Sequence, residues 1–163
     1  MIVVSNTSPL TNLAAIGQFD LLHKLFGELY LPLGVIDELS FGGTKWPGAN
    51  EVEAADWIHS KPVNNRTVVD ALRLDLDLGE AETIALALEM HATLVLLDEQ
   101  AGRNAAHYFN LKVMGVVGIL LQAKKLKLIR ALRPVLDALR YQAGFYVSEA
   151  VYQHALQRAG EFE

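Results

Sequence analysis

Short aliphatic runs that stop abruptly at polar residues recur along the chain. Leu94-Val95-Leu96-Leu97 ends in Asp98-Glu99, and Met1-Ile2-Val3-Val4 ends in Ser5-Asn6-Thr7-Ser8. Apolar runs this short and this continuous read as strands buried on both faces of a parallel sheet. Residues 28–32, Trp57-Ile58-His59 with Val63, and residues 111–114 read as three more strands. Between the strands the apolar positions take helical spacing. Ser8 is a plausible N-cap with Pro9 at the first helical position, and Leu10, Leu13, Ala14 and Ile16 form a stripe that Gly17 ends. Further helices are predicted over about 19–26, 34–39, 50–55, 68–74, 80–90, 100–109, 116–127, 130–142 and 148–159. Alternating strands and helices predict an α/β fold with a parallel sheet. Residues 41–50 (FGGTKWPGAN) are the strongest break. They are too short and too early to separate two domains, and a mobile flap beside a site is one reading of them.

Composition narrows this picture. A chain of 163 residues, 52% hydrophobic and 20% charged, suits one domain with a substantial core. There are no cysteines, which excludes disulfides and thiolate metal sites and fits a reducing cytoplasm. No basic region precedes an apolar stretch at the start, and no apolar run is long enough to span a membrane. The net charge of −5 is unevenly spread. Residues 1–100 hold five Lys/Arg against fifteen Asp/Glu, whereas residues 101–140 hold eight Lys/Arg against one acid, Asp137. Binding responds to such local fields.

Four oxygen donors stand where chemistry is expected. Asn6 and Asp98 lie at strand ends, Glu38 lies in the first turns of a helix, and Glu80 lies at the start of another. In a doubly wound sheet these positions share one edge, and oxygen donors clustered there suit Mg²⁺ or Mn²⁺. Plainer readings exist for each. The helix dipole alone favours Glu80 and Glu82 at a helix N-terminus. Glu38 also reads as a solvated helix residue, Asp98 as a helix N-cap, and Asn6, Asp75 and Asp77 as turn residues. The five histidines have no paired spacing, strand one is not followed by a glycine-rich phosphate loop, and Ser8 has no evident base. The basic run Lys124, Lys125, Lys127, Arg130, Arg133 and Arg140 reads either as a solvated helix face or as a nucleic-acid contact.

Together these residues resemble the PIN domain, the nuclease fold of VapC-type toxins, and in particular a prokaryotic branch of it. Residues 2–10 (IVVSNTSPL) are similar to that branch's opening. Val35-Ile36-Asp37-Glu38-Leu39 is similar to the second motif, and residues 79–87 (GEAETIALA) to the third. Asp98, eighteen residues after Glu80, is similar to the fourth. The stretch from Gly115 through Ala123-Lys124-Lys125 to Ala143-Gly144-Phe145 and Tyr152 also resembles the branch.

The resemblance implies a single PIN-like domain over 1–163, a three-layer α/β/α fold with a central parallel sheet. The last helices, about 130–163, would be a C-terminal extension packed on it. It implies metal-dependent hydrolysis of RNA, with Glu38, Glu80 and Asp98 catalytic and Asn6, Glu38, Glu80 and Asp98 holding one or two Mg²⁺ or Mn²⁺ ions. Ser8, Glu82 and Glu99 would support that site. Arg103, Lys124, Lys125 and Lys127 in the basic segment would hold the nucleic-acid backbone. An antitoxin protein and a second copy of the chain are the expected partners. One departure stands out: PIN nucleases usually carry Asp where this chain has Asn6. Asparagine keeps a carbonyl oxygen for a hard cation but removes a negative charge. The alternative to a nuclease is therefore a weak or inactive module that binds nucleic acid or protein.

Overall fold

A computed structural model describes residues 1–40 and 46–161. Five strands form one parallel sheet: β1 (Val3–Ser5), β2 (Leu29–Pro32), β3 (Ile58–Lys61), β4 (Leu94–Leu96) and β5 (Val113–Met114). Their spatial order is β3-β2-β1-β4-β5. Ten helices surround the sheet among the described residues. α1 (Thr7–Ala15) and α2 (Asp20–Phe26) lead to β2, and α3 (Leu33–Leu39) and α4 (Ala49–Ala54) lead to β3. α5 (Arg66–Leu72) and α6 (Leu78–Glu89) precede β4, and α7 (Gln100–Tyr108) precedes β5. α8 (Val116–Lys125), α9 (Leu132–Tyr141) and α10 (Glu149–Arg158) follow the last strand.

Strand alternation divides the core into two layers. Val3, Leu29, Leu31 and Leu96 face one cluster, whereas Val4, Val95 and Leu97 face the other. Successive side chains of a strand point to opposite faces, so each aliphatic run must bury both its faces under helices. The first cluster draws on α1 to α4 and α8 to α10, the second on α5 to α7. The expected three-layer α/β/α architecture is present. From β1 the chain steps outward to β2 and β3, then returns to lay β4 on the other side of β1. Right-handed crossovers require helices on opposite faces for these two directions of travel. The reversal leaves a crevice between the C-terminal ends of β1 and β4.

The element order matches the sequence reading, with shifts of a residue or two at most ends. One local expectation is corrected. Ser8 does not cap α1, because the helix begins two residues earlier with Asn6 as N-cap, and Pro9 is its third residue. Proline fits there because first-turn N–H groups have no helical partner. The flap suggested for 41–50 falls in part on residues 41–45, outside the described residues. Pro47 and Gly48 form the turn into α4, where Gly48 takes φ +97°.

The two faces are closely packed, and truncation should report it. Leu120 of α8 is fully buried, so Leu120→Ala is expected to cost about 3 kcal/mol in urea denaturation. Leu126, just beyond that helix and 52% exposed, should lose no more than about 0.5 kcal/mol on the same change.

Candidate metal centre at the strand switch point

The register of β1 on β4 sets the site. Ser5 pairs with Leu96, and the Asn6 N–H donates to the Leu96 carbonyl at 3.0 Å. Asn6 and Asp98 are thereby held at neighbouring strand ends. Three consecutive residues at the start of α1 then serve three purposes. Asn6 is the N-cap, Thr7 donates its hydroxyl to Glu38 Oε2 on α3, and Ser8 donates to Asp98 Oδ2 at 3.1 Å. Asn12, one turn on, donates to Ser8 Oγ at 3.0 Å and keeps that hydroxyl aimed.

Asn6 is the unusual member. Asparagine at an N-cap normally turns its side-chain oxygen onto the first helical N–H groups. Here the side chain makes no capping bond. Its Oδ1 is buried and has no hydrogen-bond partner among the described residues. An unpaired buried carbonyl costs about 1–3 kcal/mol. Gly79, the second residue of α6, shows where that oxygen points. A Cβ at Gly79 would lie 2.8 Å from Glu38 Oε2, 3.5 Å from Asn6 Oδ1 and 3.6 Å from Asp77 Oδ1. The absence of a side chain at Gly79 lets oxygens from α1, α3 and the start of α6 approach one another.

Glu80 faces the same helix end. Asp77 Oδ1 accepts from the Glu80 N–H at 2.8 Å, and Glu80 Oε1 accepts from the Asp77 N–H at 3.2 Å. This reciprocal capping box satisfies two helix-end donors. It leaves Glu80 Oε2 without a hydrogen-bond partner among the described residues. Burial raises the Glu80 pKa from its ordinary 4.5 to about 7, and the nearby negative charges of Asp77 and Glu99 add to the rise. Asp98 is more fully engaged. Its Oδ1 accepts from the Val116 N–H at the start of α8 at 2.9 Å, while Oδ2 takes the Ser8 hydroxyl. It does cap a helix N-terminus, but that of α8, since Glu99 is the N-cap of α7. Burial raises the Asp98 pKa, while the Val116 N–H, the Ser8 hydroxyl and the Arg103 charge oppose the rise. Gly115 is required beside it, because a Cβ there would sit 2.6 Å from Asp98 Oδ1.

The other expected site residues divide. Glu99 is exposed, and its charge reaches both Glu80 and Asp98. Glu82 is directed elsewhere: Oε1 accepts from the Gly34 N–H at 2.7 Å and Oε2 pairs with Arg66 at 2.6 Å. It fastens α3 and α5 to α6 and so positions the helix that carries Glu38. Arg103, Lys124 and Lys125 line one cleft with Asp98, which Lys127 does not. Lys124 is also paired with Glu161 at 3.0 Å.

Thr7, Arg66 and the Val116 N–H were not singled out by sequence, and Asp77 was read only as a turn residue. The S/T/D-x-x-E spacing of Asp77 and Glu80 was a legible signal for the capping box. The others depend on contacts between distant segments. Among the described residues no three His, Asp or Glu side chains are grouped closely enough to hold a metal by themselves. The oxygens that close on Gly79, from Glu38, Asn6 and Asp77, mix one amide oxygen with carboxylates. With the buried amide oxygen lacking a hydrogen-bond partner among the described residues, this all-oxygen set fits a hard divalent cation.

A doubly wound parallel sheet with oxygen donors at its switch point is the class of site in which ligands bind beyond the strand ends. A family model for PIN domains, DUF3368, matches residues 2–161, and the chain belongs to that family. Membership points to nuclease-type function in general. No curated protein matches the chain. No helix among the described residues is long and apolar enough to cross a membrane.

Glu80 binds its proton more tightly in the folded chain than in the unfolded one. Its contribution to stability is complete below pH 4.5 and is lost as pH rises through about 7. In EDTA, the melting temperature of the wild type should therefore fall between pH 5 and 8 relative to that of Glu80→Gln. Parallel profiles for the two proteins would contradict the buried, proton-holding Glu80.

Proposed function

We propose that this chain is a metal-dependent ribonuclease that hydrolyses RNA phosphodiesters. The observation that carries the reading is Asn6 Oδ1, buried, without a hydrogen-bond partner among the described residues and gathered with Glu38 Oε2 beside Gly79. In this reading Asn6, Glu38, Glu80 and Asp98 hold Mg²⁺ or Mn²⁺, directly or through water. Those residues would hold Mg²⁺ or Mn²⁺, which would supply Lewis-acid chemistry there by lowering the pKa of a water and neutralising phosphate charge. The chain's own groups prepare for that. Thr7 orients Glu38, Ser8 and the Val116 N–H orient Asp98, and the capping box engages one of the two Glu80 oxygens. In the metal-free chain burial holds the Glu80 pKa at about 7, so a cation bound there would displace its proton near neutral pH.

The family context supports a toxin of a toxin–antitoxin pair as the biological setting. That setting brings a cytoplasmic location, an antitoxin partner and a homodimer. The whole of 1–163 would act as one domain, with residues from about 130 as an extension on the core.

A second reading has its own support. Asn6 contributes no charge, and both Asp98 oxygens are already hydrogen-bonded. A module that binds nucleic acid or protein while cleaving weakly or not at all fits those facts.

Purified protein with labelled RNA and Mn²⁺ separates the two. Cleavage is expected in the wild type and should fall by about two orders of magnitude in Asp98→Asn, with circular dichroism unchanged. Equal rates in both proteins would assign the cleavage to another site or to a contaminant. In calorimetry, Asn6→Asp should tighten Mn²⁺ binding by about tenfold, because it restores a full charge beside the ion. An unchanged isotherm would remove Asn6 from the metal centre.

A further inference from the structure

Beside the acidic pocket lies a cleft of about 910 Å³ that Asp98 lines. It follows α8 from Gly115, next to Asp98, to Lys124 and Lys125 at the helix end, a span of about 15 Å at the rise of an α-helix. The wall facing α8 is the link 145–148 together with Val151, Arg158 and Ala159 of the last helical segment. Asp98 is the one acid in the lining among the described residues. Against it stand Arg103 from α7, Lys124 and Lys125 from α8, and Arg158 from α10. Cations from three separate elements thus converge on one concavity. Lys125 and Arg158 form no ion pair among the described residues, Arg103 stands beside Asp98 and acts on its charge, and Lys124 is tied to Glu161.

Tyr146 adds a second kind of contact. It lies in the link between α9 and α10, lines the cleft, and is 84% exposed. It belongs to neither core cluster, unlike its neighbours Phe145 and Val147, which anchor the link on the core. An aromatic ring held at the wall of a cationic groove, with its face open, is the arrangement that binds single strands. Phosphates take the cations, and a base stacks on the ring whatever its identity.

We propose that this cleft is a track for single-stranded RNA leading to the acidic pocket, with Arg103, Lys125 and Arg158 on backbone phosphates and Tyr146 stacked on a base. The destination of the strand rests on the nuclease reading above; the binding itself does not. A duplex presents stacked, paired bases and has none to offer Tyr146. Lys124, held by Glu161, stiffens the wall and adds less to the phosphate field.

Fluorescence anisotropy with a short unstructured RNA in EDTA tests the track without hydrolysis. The wild type should bind with an affinity that falls as salt rises. Tyr146→Leu should weaken binding about tenfold and Tyr146→Phe should retain it. Arg158→Gln should weaken binding and lower the slope of log K against log salt by about 0.7. Both side chains are exposed, so neither change disturbs the core. No binding by the wild type, equal binding by all variants, or equal affinity for a duplex of the same sequence would overturn the track. Mn²⁺-dependent cleavage by a protein whose variants all bind alike would leave the nuclease reading standing and remove the track. Variants that lose binding as expected, in a protein that never cleaves, would do the reverse.

Discussion

The pairing of β1 with β4 governs everything at the C-terminal edge of the sheet. Ser5 opposite Leu96, extended by the Asn6 N–H on the Leu96 carbonyl, places two polar strand ends side by side where strand order reverses. A slip of one residue would exchange Val3 and Val4 between the two core layers and bury the wrong face of each strand. The hydrophobic alternation therefore enforces the register, and the register positions Asn6 and Asp98. Ser8 and the Val116 N–H then bind Asp98 from both sides, linking the start of α1, the end of β4 and the start of α8.

The pocket balances burial against charge. Glu80 and Asp98 both hold their protons more tightly than free carboxylates because desolvation disfavours their ionised forms. Glu99 adds a further negative charge. A fourth carboxylate at position 6 would sharpen that repulsion in the metal-free protein. Asn6 avoids it and keeps an oxygen in the same place, while leaving less charge to attract a cation. The helix termini relieve some of the cost: α1, α6 and α8 all begin at this edge, and their dipoles favour the ionised acids.

Charge along the chain translated into space only in part. The basic segment 101–140 supplies Arg103 and Lys125 to the cleft beside Asp98, but its Lys124 is engaged by Glu161. The same Glu161 accepts from the Leu132 and Arg133 N–H groups, capping α9 and closing the C-terminal helices onto α8. Its pKa is lowered although burial pushes it up, because these N–H donors and the Lys124 ammonium outweigh desolvation. Arg158 and Tyr146, from outside the basic segment, complete the cleft wall.

The strands, the helices and their alternation were legible from residue order because each reflects a local period, two for the buried strands and near four for the helices. Asn6 and Asp98 were legible as strand ends for the same reason, and so was Glu80 as a helix start. The partner of each polar side chain was not. Ser8 read locally as a cap, and as a support of the site only through the family resemblance; its partner is Asp98, ninety residues away. Glu82 and Glu80 stand two apart on one helix, yet one pairs with Arg66 and the other joins the capping box. Local sequence sets which groups must be satisfied, through propensity, alternation and burial. Which group satisfies them, and which oxygen is left unpaired to face Gly79, depends on distances between segments that only the folded sheet brings together.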